Sequence, residues 1–343
     1  MITFYSPGVP AVTLSEPAHC AELTRAAIWI DVLEPTADEE QVLEAALGID
    51  VPTREEIQEI ELSSRLYEEN GVLFMTGTVL THADTSTPQS STVTFVLARD
   101  KLVTLRYADP VPFHVFAKKR EANLQRYQTN TQFLGGIVDA IIERIADILE
   151  AVGAKLDGIS VKVFAPEQCE NGEVIHRSLR RSAHGYARKK RQRDYVEILR
   201  RIGGVSDLVS RARESLVSFT RLVAFYHEAR KENAVTRESL AHLKTITGDL
   251  ASLSDHATFL GTKVSFLLDA TLGMINNEQN AIIKILSVAA LVFLPPTMVA
   301  GIYGMNFEHM PELKWVHGYP IAVVLMVLSA VVPYLFFKRR GWL

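Results

Sequence analysis

The spacing of apolar positions changes character along the chain. Up to about residue 110 the apolar runs are short and rich in β-branched residues. The run AIWIDVL at 27–33 predicts a strand that ends before the turn-like Glu34-Pro35-Thr36. Residues 38–47 take helical spacing and stop at Gly48, and Thr53 followed three residues later by Glu56 predicts a second, short, capped helix. Further strands are expected at 66–67, 72–80, 91–97 and 102–107, separated by Asn70-Gly71, a Thr/Ser/Pro-rich stretch and Arg99-Asp100. After Pro112 helical spacing takes over. Ile137, Ile141, Ile145, Ile148 and Val152 recur at three- and four-residue steps, and 196–228 and 240–274 behave likewise. Residues 164–193 have weaker periodicity and predict a loop or an irregular helix.

The last helical pattern has no stop between about 236 and 301, and proline is absent from it until Pro295. A helix of roughly 60 residues would be on the order of 90 Å long. No compact domain needs such a helix, whereas a stalk leading to a membrane does. Residues 285–302 and 319–337 contain no charged side chain, and each run matches the hydrocarbon thickness of a bilayer. Lys284 precedes the first run and Lys338-Arg339-Arg340 follow the second, while the connection carries Glu308 and Glu312 against Lys314 alone. The positive-inside rule then places both termini in the cytoplasm and the connection outside. Trp315, Tyr319, Tyr334 and Trp342 fall near the expected interfaces.

The expected architecture is therefore an α+β membrane protein. It has a cytoplasmic α/β and helical head at 1–235, a stalk helix at 236–281 continuing into a first transmembrane helix at 282–302, and a periplasmic loop at 303–318. A second transmembrane helix at 319–338 and a basic tail at 339–343 complete it. The N-terminus, MITFYSPGVP, does not read as a cleaved secretory signal, so the head is expected to stay in the cytoplasm.

Composition adds little to the class and more to the exclusions. With 48% hydrophobic and 22% charged residues the chain could be an ordinary globular protein; the clue is that its longest apolar runs lie at the C-terminus. Cys20 and Cys169 form no C-x-x-C unit, so neither a zinc knuckle nor a redox pair is indicated. The net charge of −4 is unevenly placed. Glu39, Glu40, Glu55, Glu56, Glu59, Glu61, Glu68 and Glu69 make the start acidic, and Arg177, Arg180, Arg181, Arg188, Lys189, Lys190, Arg191 and Arg193 form a basic block. Both read as solvated helix faces; no stacking motif supports a nucleic-acid partner. Walker, G-x-G-x-x-G and G-x-S-x-G motifs are absent, and no metal triad stands out, so no enzyme and no organic cofactor are expected.

A hairpin of two helices cannot enclose a water path, so conduction would require several copies around an axis. In the first apolar run Asn280, Ser287, Leu294 and Gly301 recur every seven residues, with Ala290 and Thr297 close to the same face. Two readings fit this small, weakly polar stripe: a pore lining, or close helix packing by small residues. Tyr303-Gly304-Met305-Asn306-Phe307 follows directly, then Met310-Pro311-Glu312-Leu313. This conjunction at the exit of the penultimate span resembles the CorA magnesium transporter family, whose hallmark is a Gly-Met-Asn triplet there. The likeness extends through LLDATLGMINNEQN at 267–280 and FLPPT at 293–297, and more loosely through 52–71.

The resemblance implies a funnel-shaped homopentamer in the bacterial inner membrane that takes up Mg2+, with Co2+ and Ni2+ able to follow. It implies a selectivity filter of Gly304, Met305 and Asn306, flanked in the loop by Glu308 and Glu312. Asn280, Ile283, Ser287, Leu294, Thr297 and Gly301 would line the conduit. Ile283 and Leu294 would be apolar constrictions where relatives often have methionine. Mg2+ would also be the regulatory ion, held by carboxylates among which Asp249, Asp255 and Asp269 are the candidates. One rival keeps this architecture and moves zinc instead; His309 and His317 are the only suggestive pair for a softer ion. A rival from another class is a membrane-anchored sensor or enzyme whose soluble head does the work.

Overall fold

The computed structural model describes residues 1–58, 61–85, 87–164, 180–230, 237–305 and 315–340. The chain divides into two compact units, Met1–Leu268 and Asp269–Leu343. The first opens with strands β1 (Ile2–Tyr5) and β2 (Val12–Thr13), helix α1 (Cys20–Ala26), strand β3 (Trp29–Leu33) and helices α2 (Ala37–Leu47), α3 (Arg54–Gln58) and α4 (Leu62–Arg65). Strands β4 (Leu66–Glu69), β5 (Val72–Thr81), β6 (Gln89–Ala98) and β7 (Lys101–Arg106) follow. The remaining helices are α5 (Val111–Ala122), α6 (Asn130–Phe164), α7 (Arg180–Ala229), α8 (Arg237–Tyr303) and α9 (Gly318–Arg339).

The strands form one seven-stranded sheet in the order β2-β1-β3-β7-β6-β5-β4. Its β3–β7 pair is parallel and the others are antiparallel. Local chemistry sets these elements. Thr36 and Glu39 close a capping box at the start of α2, and Gly48 ends that helix in the left-handed region at φ 69°. Thr53 and Glu56 make the expected reciprocal bonds at the start of α3. Asn70 and Gly71, at φ 52° and 78°, supply the two left-handed residues that a tight β4–β5 hairpin needs.

One sheet face buries Phe4, Ile30, Val32, Phe74, Val96 and Val103 with Leu43 of α2 and Ile57 of α3. The opposite face centres on Trp29, whose ring stacks on Tyr5 at 3.9 Å and meets Phe116 and Phe133 at 5.4 and 5.8 Å. Alternation along β3 sends Trp29 and Asp31 to this side and Ile30 and Val32 to the other. At Gly136 of α6 an added Cβ would come 2.3 Å from Phe116 and 2.9 Å from Tyr127, both in this packed aromatic cluster. Gly136→Ala is therefore expected to destabilise the head by about 1–2 kcal/mol, because overpacking outweighs the gain in helix propensity. A lowered urea midpoint of the full chain checks this.

The sequence reading missed β1 and β2, although Ile2 and Phe4 alternate with Thr3 and both are buried. It also expected a loop or irregular helix over 164–193. From Arg180 onward the chain is instead part of α7, so the basic block from Arg180 to Arg193 is helical. Arg, Lys, Gln and Ala are good helix formers, and propensity holds a helix there without an apolar stripe. Residues 165–179, including Arg177, lie outside the described residues.

Candidate functional site

Helix α8 is continuous for 67 residues and contains Pro295 and Pro296. A proline supplies no amide hydrogen, so the carbonyls of Leu291 and Val292 receive no bond from the next turn. The Thr297 hydroxyl donates to the Phe293 carbonyl at 2.8 Å. The middle of the apolar run thus carries a local concentration of backbone polarity. In a bilayer such groups are tolerated where they face protein or water rather than lipid.

Among the described residues, α8 and α9 are the helices long and apolar enough to cross a membrane. Only 6% and 0% of their most apolar windows are buried, which separates them from core helices of a soluble domain. Ile285, Leu286, Phe293 and Met298 on α8 and Tyr319, Val324 and Val332 on α9 are largely exposed. Contiguous apolar surface of this extent requires a non-aqueous or protein surrounding.

All six expected lining residues, Asn280, Ile283, Ser287, Leu294, Thr297 and Gly301, are exposed on α8. At 3.6 residues per turn they fall within one sector of roughly 100°. Val288, Val292, Val299 and Tyr303, which are buried or half-buried, occupy a sector roughly opposite. On α9 the corresponding less exposed series is Ala322, Met326, Ala330, Pro333 and Phe337. The weakly polar stripe is therefore on the side of α8 that the chain itself leaves uncovered. Met298, exposed at the edge of this stripe, was not singled out from sequence, because it lies outside the seven-residue repeat.

Helix α8 ends at Tyr303. The Gly304 amide donates to the Ala300 carbonyl at 3.0 Å, and Met305 donates to Ile302 at 3.3 Å. A Cβ on Gly304 would stand 3.0 Å from the Ala300 oxygen, so the close chain path there suits glycine. Met305 is exposed. Asn306, Glu308 and Glu312, and His309 with them, lie outside the described residues. The last turn of α8 and the negative end of its dipole lie at Gly304 and Met305, which favours a cation near this helix end.

The three regulatory candidates are exposed and are not gathered on one chain. Asp255 lies opposite the stripe of α8 that is buried in the first unit (Ile246, Leu250, Ala257, Leu260 and Val264), and Asp249 lies at its edge. Asp269 is exposed in the second unit. No group of three or more His, Cys, Asp or Glu that could hold a metal occurs among the described residues.

Two features of the head escaped the sequence reading because their partners are far apart along the chain. Lys263 of α8 donates to Asp157 of α6 at 2.6 Å, and His242 pairs with Asp139 at 2.8 Å, fixing the register of α8 against α6. Arg106, at the end of β7, and Asp31, in the middle of β3, are both almost fully buried and are joined by bonds of 2.9 and 3.1 Å. The Trp29 indole donates to Thr104, which donates in turn to Asp31 at 2.7 Å. Arg106 also holds Asp109, itself bonded to His114. Burial by itself would raise the Asp109 carboxyl, but the bonds from Arg106 and His114 prevail and hold it below its ordinary range. Burial opposes the Arg106 charge too, and the two aspartates more than offset it.

Comparisons with known proteins agree with this architecture. The family model of the CorA-like Mg2+ transporter protein matches residues 25–339. The magnesium transport protein CorA of Escherichia coli is 33% identical over 318 residues, which is 92% of this chain and 92% of that protein. The CorA of Salmonella typhimurium is similar to the same extent. Among solved structures, the complete CorA magnesium transporter of Methanocaldococcus jannaschii superposes with a TM-score of 0.73 at 18% identity, covering 100% of this chain and 99% of that one. With an α/β head, a helix running unbroken into an apolar span and a second apolar helix behind it, the chain belongs to the CorA-like Mg2+ transporter family.

Proposed function

We propose that five copies of the chain assemble around a shared axis as a channel that admits hydrated Mg2+, and with it Co2+ and Ni2+, down the electrochemical gradient. The observation that carries this reading is the uncovered, weakly polar stripe of α8, which runs from Asn280 to Gly301 and ends at Gly304. Residues 282–302 and 319–338 cross the bacterial inner membrane, and the head, the stalk and both termini lie in the cytoplasm. The basic residues at Lys284 and Lys338–Arg340 support this orientation.

Magnesium prefers octahedral oxygen ligands and gives up water reluctantly, so a filter acts most economically on the hydrated ion. The Asn306 amide carbonyls form a ring that accepts hydrogen bonds from the ion's water shell. Met305 and the backbone near Gly304 complete the filter. Helix C-termini and the loop carboxylates Glu308 and Glu312 concentrate cations at this outer mouth. Below it Thr297, Ser287 and Asn280 offer neutral oxygens, which bind weakly enough to release the ion. Ile283 and Leu294 are narrow apolar points where loss of water closes the path. An inside-negative potential supplies roughly 2.3 kcal/mol per charge per 100 mV, hence ~5 for a divalent ion. Cytosolic Mg2+ closes the assembly by binding between neighbouring copies through Asp249, Asp255 and Asp269. Exposed carboxylates scattered along one chain suit an ion shared between copies better than an ion held within one.

The test is reconstitution of the full chain into liposomes loaded with a magnesium-sensitive dye. The expected result is potential-driven Mg2+ entry that cobalt hexaammine, a mimic of the hydrated ion, blocks. Entry no faster than in protein-free liposomes would overturn the channel reading. Zinc entry indifferent to cobalt hexaammine would favour a zinc path instead.

A further inference from the structure

A cavity of about 500 Å3 opens where α6, α7 and the β5–β6 connection meet, within the first unit and remote in sequence from the conduction stripe. Its floor is apolar: Ala83, Ile159, Val205 and Leu208 are all buried. Its rim is cationic. Lys155 and Lys162 stand seven residues apart on one side of α6, and Arg201 faces them from α7. Arg201 is already paired with Glu197, and Asp207 with Arg211. Lys155 and Lys162 have no hydrogen-bonding or ion-pair partner among the described residues.

Two glycines add a separate observation. Gly158 of α6 and Gly204 of α7 both border the cavity, and a Cβ at either would meet no atom within 4 Å. A glycine inside a helix weakens it relative to alanine. Among the described residues no packing contact requires glycine at these positions, and both are exposed where they border the cavity.

We propose that this cavity is a binding site for a small amphipathic anion. An apolar body of one or two rings, or a short alkyl chain, lies on Ile159, Val205 and Leu208 across the two glycines. Its carboxylate, sulfonate or phosphate sits between the Lys155 and Lys162 ammonium groups. The volume is within the range of ordinary small-molecule sites, and a mostly apolar lining with a few convergent charges is their usual composition. A bound ligand of this kind bridges α6 and α7 and stabilises the pair by mass action. The site makes no use of the ion path, so it stands or falls independently of the channel reading.

Naphthalene-2-sulfonate is a suitable probe, with the full chain in lipid nanodiscs and empty nanodiscs as the blank. Ligand-observed saturation-transfer NMR is expected to report saturable binding, accompanied by a rise in the thermal midpoint of the head. Naphthalene-2-methanol, which has the same body without the charge, is expected to bind about tenfold more weakly or worse. The double variant Lys155→Glu, Lys162→Glu is expected to weaken the sulfonate by a similar factor, and Gly204→Leu to abolish binding by placing a side chain where the apolar body lies. The lysines are exposed, so their replacement preserves the fold even if the glycine change does not. Binding no greater than to empty nanodiscs would overturn the proposal. So would equal affinity for the charged and uncharged probes, or undiminished affinity in the lysine double variant.

Discussion

Replacing Asn306 by alanine is expected to lower Mg2+ uptake roughly tenfold or more while leaving expression and oligomer size unchanged. The physical reason is the way the proposed filter would hold its ion. A hydrated divalent cation bears strongly polarised water hydrogens, and each bond from such a shell to an amide carbonyl contributes on the order of 1 kcal/mol net. In the proposed assembly one substitution in the gene would remove that acceptor from every copy around the axis, so several bonds would be lost together, and a loss of about 1.4 kcal/mol already means a factor of ten. The truncated side chain leaves Gly304, the α8 terminus and the apolar helices in place. Uptake is therefore expected to fall without any change in assembly. The measurement is dye-reported Mg2+ entry into proteoliposomes, with size-exclusion chromatography of the same preparation. Wild-type entry by a correctly assembled Asn306→Ala variant would remove the asparagine from the filter.

The second large effect lies in the head. Arg106→Met is expected to destabilise it by about 3–5 kcal/mol, because the change leaves Asp31 buried without its counter-charge. Replacing Asp31 and Arg106 together by apolar residues is expected to cost far less, since no buried charge then remains. Urea unfolding followed by Trp29 fluorescence is a direct readout, because Trp29 is linked to Asp31 through Thr104. A single variant no less stable than the double variant would show that the pair is not coupled as described.

The same substitution changes the acid limb of stability. Asp109 has a lower pKa in the folded head than in the unfolded chain, with Arg106 among the causes. A carboxylate of this kind adds stability above its unfolded value and loses it as the pH falls through the folded one, here below about pH 4. Arg106→Met is thus expected to flatten the decline in urea midpoint over that range.

The features that could be read along the chain depend on local or periodic physics. Strands β4 to β7 follow from β-branched runs broken by Asn70-Gly71 and Arg99-Asp100, α2 from its capping box and Gly48, and the long helices from three- and four-residue apolar steps. The two apolar spans and the Gly-Met-Asn segment are contiguous in sequence, so their nature needs no tertiary information. Sequence alone therefore determined that this is a two-span membrane protein with an α/β head and a long helix leading into the first span.

The tertiary structure decided what spacing cannot carry. It paired β3 with β7 in parallel across some 70 intervening residues, closing a buried Arg106–Asp31 pair that neither strand announces by itself. It made α7 helical from Arg180, where propensity acts without an apolar stripe. It also established which side of α8 stays uncovered. A stripe of small, weakly polar residues has the same appearance in sequence whether it packs inside its own chain or faces outward, and only the burial of Val288 and its neighbours on the opposite side distinguishes the two. Side chains remote in sequence meet only when the backbone closes on itself, so Lys155, Lys162, Gly158 and Gly204 became one cavity only in the folded head.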